Sequence, residues 1–293
     1  MSRKNVSCSV LLVLVCWASL VVPASAQHFQ QVKGTLASVS AGRNEVFGLD
    51  AVSGVWRFNA KTSAFAKIKN ASLVQVAVGG GTLSQLDEVW GLDAGGGVHR
   101  FNYTTKTFDS IDGVFSQLAV GPGNQDNCHP YEVWGVNSGD SVFRFDYCTN
   151  EFFEISGSLT QVATGGGDVW GFNSSGNIFH FSFATQTFGQ VGGGFIQITV
   201  GVNDVWGLNP NINAFRYDPA TGDFNISQGF VRQIAAGGDG VWLLDTSNII
   251  WRFDSSKEAF VEVTGPFKNI SVGSGAGVFA VNSIGAVFTF VRP

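Results

Sequence analysis

Charge is scarce in this chain, sulfur is nearly absent, and no stretch keeps a helical period. Asp, Glu, Lys and Arg make up 13% of its 293 residues, about half the usual share for a soluble protein. Together with 38 Gly and 26 Phe, that balance disfavours helical bundles and suits many short strands joined by tight turns. The formal net charge is −5 and no Lys/Arg cluster follows the N-terminus, so nucleic acid is not an expected partner. Four histidines leave little for a catalytic triad, and no G-x-S-x-G elbow, Walker loop or HExxH is present. Catalysis, metal and cofactors are not expected.

Beyond residue 26 no apolar run approaches the ~20 residues that span a bilayer. Before it, Arg3 and Lys4 precede a mostly apolar stretch over 10–22, and Ala24-Ser25-Ala26 supplies small residues for cleavage. Residues 1–26 therefore read as a signal peptide, with an uncleaved anchor as the alternative, and 27–293 as one secreted domain. The destination would be extracellular, or periplasmic in a Gram-negative bacterium. Cys8 and Cys16 fall in the leader, which leaves Cys128 and Cys148. In an oxidising compartment these two suggest one disulfide, with two free thiols as the alternative. Two thiols without CxxC or HxxxH spacing do not make a zinc site.

What the chain does have is repetition. Val89-Trp90-Gly91-Leu92 recurs at Val133-Trp134-Gly135-Val136, Val169-Trp170-Gly171-Phe172 and Val205-Trp206-Gly207-Leu208. Weaker copies start at Val46, Val241 and Val278, which makes seven. Each copy holds four strand-like runs rich in Val, Ile, Phe and Trp. An Asx residue followed by Gly closes the turn after the second run, as at Asp50 with Gly54 and Asn173 with Gly176. Short strands apolar on both faces imply sheets stacked face to face around an axis. The glycines after Trp read as room for a bulky neighbour from the adjoining blade. The C-terminal copy lacks a fourth strand, and residues 28–34 match that pattern. The expected fold is all-β: a single seven-bladed β-propeller of four-stranded antiparallel blades, its ring closed by the N-terminal strand joining the C-terminal blade. Cys128, in an insert at 122–131, and Cys148, in the turn between the third and fourth strands, should emerge on the same rim of the third copy.

The units Leu73-Val74-Gln75-Val76-Ala77-Val78-Gly79, Val89-Trp90-Gly91-Leu92-Asp93 and Val98-His99-Arg100-Phe101-Asn102 resemble tectonin repeats, and the resemblance covers residues 27–293. It implies a lectin that binds glycans or lipopolysaccharide on microbial surfaces through repeated weak sites. Third strands here end in Phe-Asn or Phe-Asp where many tectonin repeats carry further basic residues, so pockets do not transfer position by position.

Two columns are candidate ligand contacts. Arg57, Arg100, Arg144, Arg216 and Arg252 precede the third-strand turn, interrupted by His180 and Thr289. They could bind acidic glycans, pair with turn carboxylates of neighbouring blades, or lie solvated. Trp90, Trp134, Trp170, Trp206 and Trp242 read first as packing, and as sugar platforms if their edges reach a groove. His99 and His180 read as drift within the repeat. Two other readings stand beside the lectin: a protein-interaction platform without sugar affinity, and an enzyme similar to streptogramin lyases, suggested by Asp218-Pro219-Ala220-Thr221-Gly222. The lyases rely on a His-and-acid cluster with a metal, and no paired His is present. Asn-x-Ser/Thr occurs at Asn70, Asn102, Asn173, Asn225 and Asn269, relevant only in a eukaryotic secretory pathway.

Overall fold

The computed structural model describes residues 28–291, so the expected signal peptide lies outside the described residues. Within them there are 28 strands and no helix. Repeats one to seven start their first strands at Ser38, Gln75, Gln117, Gln161, Gln197, Val231 and Asn269.

Repeats two to six each form a separate four-stranded antiparallel sheet, and an eight-stranded sheet holds the remainder. In that larger sheet the strand His28–Thr35 pairs antiparallel with Ala286–Val291, with His28 opposite Val291. A single parallel contact, Lys33 with Ala64, joins this half to repeat one. The second strand of each sheet is buried on both faces; Val46–Leu49, Val205–Leu208 and Val278–Val281 are enclosed along their whole length. A strand covered on both sides has no reason to alternate polar and apolar residues, which is why Val-Trp-Gly-Leu does not. Fourth strands such as Glu151–Ser158 are mostly exposed.

Aromatic packing carries the contact from sheet to sheet. Trp90 meets Phe145 and Phe152 of the next repeat at 4.8 and 5.9 Å. Trp134 meets Phe181 and Phe188 in the same way, and Trp206 meets Phe253 and Phe260. Trp242 is covered by Phe290 and by Phe29 of the N-terminal strand, and Phe279 of repeat seven packs on Phe58 and Phe65 of repeat one. Edge-to-face pairs of this kind add about 1 kcal/mol each beyond the area they bury.

The innermost strands are stitched by side-chain amides. Gln117 donates from Nε2 to the Val162 carbonyl at 2.9 Å and accepts the Val162 N–H on Oε1 at 3.0 Å. Gln197 bonds Ile234 in the same two-way fashion, and Gln233 bonds Ile270. Asn269 accepts the Val39 N–H, and Ser40 accepts the Val78 N–H. The first strands therefore follow one another in cyclic order around the axis, with repeat seven beside repeat one.

Two sequence expectations change in detail. Gly135 and Gly207 do make room for a bulky side chain, but it belongs to their own repeat: a Cβ there would collide with Phe115 and Phe195, each just ahead of its own sheet. The insert at 122–131 is no loose loop. It prolongs the hairpin of Gln117–Asp126 with His129–Val136, and Cys128 near its tip bonds to Cys148, with Cα atoms 5.0 Å apart.

Candidate functional site

The arginine and tryptophan columns stand directly opposite each other across the second and third strands. Trp90 is registered with Arg100, Trp134 with Arg144, Trp206 with Arg216 and Trp242 with Arg252; in repeat four Trp170 faces His180. Two residues before Trp90, Trp134, Trp170 and Trp206, hence on the same face, sits an acid. Glu88 accepts from Nε and Nη2 of Arg100 at 2.8 and 2.7 Å, and from Trp90 Nε1 at 2.8 Å. Glu132 does the same for Arg144 and Trp134. Glu45 holds Arg57, and Asp204 holds Arg216 at 2.8 and 2.6 Å through a single oxygen. His180 takes the arginine's part in repeat four: it bonds Asp168 at 2.6 Å and stacks on Trp170 with centroids 4.2 Å apart. The acid–Trp–Arg set was missed at the sequence level, although Glu or Asp twelve residues ahead of the basic residue is visible in five copies. In repeat six that place is Gly240 and Arg252 lacks the same-strand carboxylate; in repeat seven Gly277 faces the change to Thr289. Arg57, Arg100, Arg144 and Arg216 thus pair within their own sheet, not with turn carboxylates of neighbouring blades.

The tryptophans do not reach a groove. Trp90, Trp134, Trp206 and Trp242 are completely enclosed and Trp170 nearly so, because the aromatic pair of the next sheet covers each ring. Arg144 is also removed from any ligand, with its side chain 2% exposed against a fully buried Glu132. Arg57, Arg100 and Arg216 remain 30–38% exposed. Each lies over an aromatic ring of the next sheet: Arg57 over Tyr103 at 5.5 Å, Arg100 over Tyr147 at 5.1 Å, Arg216 over Phe253 at 5.3 Å. The carboxylate raises the Arg57 pKa against the opposing effect of burial. At Arg100 burial is the largest influence and lowers it, but the Glu88 bonds outweigh it and the pKa still rises. These guanidiniums are permanently charged and fixed in direction.

Around these three arginines the same groove recurs between sheets. At repeat one it encloses about 680 Å³ beside Glu45, Arg57, Asn59, Ala66 and Ile68. At repeat two it holds about 360 Å³ beside Glu88, Arg100, Asn102, Asp109 and Ile111. At repeat five it holds about 520 Å³ beside Asp204, Arg216, Asp218, Asn225 and Ser227. These are matching positions of the repeat, and all lie on the rim that carries the turns between third and fourth strands. A separate opening of about 340 Å³ on the axis is lined largely by glycine, with Arg43, Thr164 and Ser274 among the few polar side chains.

His99 also has a partner. It bonds Asp93 at 2.9 Å and holds that carboxyl below its ordinary pKa. Cys128, Asp146 and Cys148 lie together, but the disulfide removes both thiolates as metal ligands.

A family model described as the tectonin domain matches residues 17–183, 82–229 and 194–292. No curated protein matches the chain by sequence. Among solved structures the chain is similar to the β-propeller domain of Cps50 (Swd1) from Myceliophteria thermophila, with TM-score 0.69 and 9% identity over 91% of this chain and 100% of that one. The WD40 repeats of RRP9 give 0.65 at 9% identity, over 92% and 98%. PorZ, a bacterial surface component of the type-IX secretion system of Porphyromonas gingivalis, gives 0.62 at 7% identity, over 90% of this chain and 39% of that one. At such identities the likeness is one of fold.

Proposed function

Because the chain belongs to the tectonin family, a family of β-propellers, we propose that it is a carbohydrate-binding propeller that recognises microbial surface glycans or lipopolysaccharide from one rim. We read the ring as closed and seven-bladed, the eight-stranded sheet being two blades in lateral contact. The cyclic order of the inner strands supports this. We further take the chain to be exported, with residues 1–26 as its leader; the disulfide agrees with an oxidising destination.

The observation that carries the reading is the recurrence of one groove, built from the same repeat positions, at repeats one, two and five. Each has an apolar or aromatic wall for sugar C–H groups, a fixed guanidinium and an Asx side chain for hydroxyls, a combination suited to orienting a polar ligand. Grooves of this size hold one or two sugar rings weakly. Several on one rim engage a glycan-coated surface together, and avidity rises without new contacts. Of the arginine column, Arg57, Arg100 and Arg216 are assigned to ligand contact and Arg144 to structure. This function involves no catalytic step.

The test is binding of the chain to a microbial glycan and lipopolysaccharide array. A saturable signal that free sugar competes away, weakened by Arg57→Ala, Arg100→Ala or Arg216→Ala, supports the lectin. Silence from folded protein overturns it. A second reading, a protein-interaction platform, is favoured by one feature: on the opposite rim Val52, Ile196, Phe230 and Ile284 are all more than half exposed. Exposed apolar side chains collected on one face suit protein contact.

A further inference from the structure

The turn between third and fourth strands puts one residue in each of repeats one to six at positive φ, among them Lys106 at 59°, Asn150 at 60°, Gln186 at 56° and Glu258 at 48°. That residue overhangs the groove of the preceding repeat. Lys106 lines the groove at repeat one, Asn150 that at repeat two and Glu258 that at repeat five. Its chemistry decides what the arginine below it meets. At repeat three the Gln186 amide oxygen lies 3.5 Å from Arg144 Nη1 and offers an acceptor. Arg57 commits Nε and Nη2 to Glu45, and the residue over its groove is a lysine.

The repeated grooves therefore differ in charge. At repeat one Arg57, Lys61 and Lys106 face the single carboxylate Glu45, three cations against one acid and a net +2. At repeat five Arg216 stands alone against Asp204, Asp218 and Glu258, a net −2. From this contrast we propose that the groove at repeat one takes an acidic saccharide, a sugar bearing phosphate or carboxylate, while its counterpart at repeat five admits only neutral sugar. This rests on the lectin reading and adds the class of sugar. The paired Glu45 holds Arg57 in place under the Phe101 and Tyr103 rings and cannot also neutralise the two lysines. An anion seated there satisfies Arg57 Nη1 and both ammonium groups. In the repeat-five groove the same anion meets three carboxylates, and like charges at this range exclude it.

The experiment titrates the whole chain, at low ionic strength, with a panel of hexoses, the matching uronic acids and the matching 6-phosphates, using calorimetry. Acidic members should bind about fivefold or more tightly than their neutral parents, the order expected when partly exposed ion pairs are added. Lys106→Glu, and separately Lys61→Glu, should abolish that advantage, so that acidic sugars bind no tighter than their neutral parents. Both side chains are exposed, and Glu258 shows that glutamate already fits the positive-φ place of Lys106, so the variants retain the fold. Glu258→Lys should add a second acid-binding site. Preference for phosphates over uronates, or the reverse, identifies the natural anion within the proposal. Equal binding of neutral and acidic sugars overturns it and leaves the lectin standing. So does inorganic phosphate that competes as well as the sugar phosphate, since the groove then reads an ion and no sugar. A panel that does not bind at all overturns both.

Discussion

Gln75 and Leu118, 43 residues apart, exchange two hydrogen bonds of 2.9 Å across the boundary between repeats two and three. The glutamine donates to the leucine carbonyl and accepts its N–H. An inner strand has no backbone partner on its axial side, and a side-chain amide placed here does what another strand would do.

Gln75→Ala should destabilise the protein by about 1–2 kcal/mol, because it leaves the partly buried Leu118 N–H unpaired, while the Leu118 carbonyl still accepts from Gln117 Nε2. Urea unfolding measures the loss, and Gln117→Ala and Gln197→Ala should behave alike. A midpoint unmoved in all three variants would show that water replaces the amide at no cost.

The carboxylate–arginine pairs should fall into two classes. Arg144→Ala, which abandons a fully buried Glu132, is expected to cost about 3–5 kcal/mol. Arg100→Ala, at a side chain 32% exposed, should cost about 1 kcal/mol. Equal losses in chemical denaturation would refute the division between structural and groove-facing arginines.

Trp206 Nε1 is buried and has no hydrogen-bond partner among the described residues, whereas Glu88 and Glu132 satisfy Trp90 and Trp134. Asp204 is one methylene shorter and spends one oxygen on both Arg216 nitrogens. Asp204→Glu should complete the set and stabilise the protein by about 1 kcal/mol. A lowered melting temperature would mean that the longer side chain does not fit.

Acid should unfold the protein in a defined window. Burial pushes Asp168 upward, but hydrogen bonds from His180 and Trp170 outweigh it, and the carboxyl titrates below 3.8. Asp50, held chiefly by Trp56, and Asp93, held chiefly by His99, are lowered as well. A pKa that is lower folded than unfolded adds stability above about pH 4. That stability is lost as the pH falls through the folded value, since the unfolded chain takes the proton first. Melting temperatures should hold from neutrality to about pH 5 and then drop. The gap between wild type and Asp168→Asn should narrow as the pH falls through the folded Asp168 value; a constant gap contradicts the assignment.

Reducing the Cys128–Cys148 bond, or replacing both residues with serine, should cost about 3 kcal/mol for a loop of 20 residues. A thermal scan with and without reductant measures it, and an unchanged midpoint would mean the prolonged hairpin holds itself.

The repeat, its turns and the disulfide were legible because each is local: a motif, an Asx–Gly spacing, two cysteines on adjacent turns. A finer rule is also written in the chain. Asp opens the second turn where the residue six places on carries an N–H donor, as Asp50 with Trp56, Asp93 with His99 and Asp245 with Trp251. Asn stands there where that residue is phenylalanine, as Asn137 with Phe143 and Asn173 with Phe179. The partner of each arginine was not legible in the same way. It depends on the register of second against third strand, and a slip of one residue would turn Glu88 away from Arg100. Nor could a pattern of Trp residues say whether a ring faces water, because the residues that cover it come from the next repeat.

The strand His28–Thr35 and the strand Ala286–Val291 begin and end side by side, His28 opposite Val291. Tension applied at His28 and Val291 would therefore peel the hydrogen bonds one after another, as a zipper opens, instead of shearing them together. The sheet that joins the two ends of the described chain thus has a weak direction under load, set by where those ends pair.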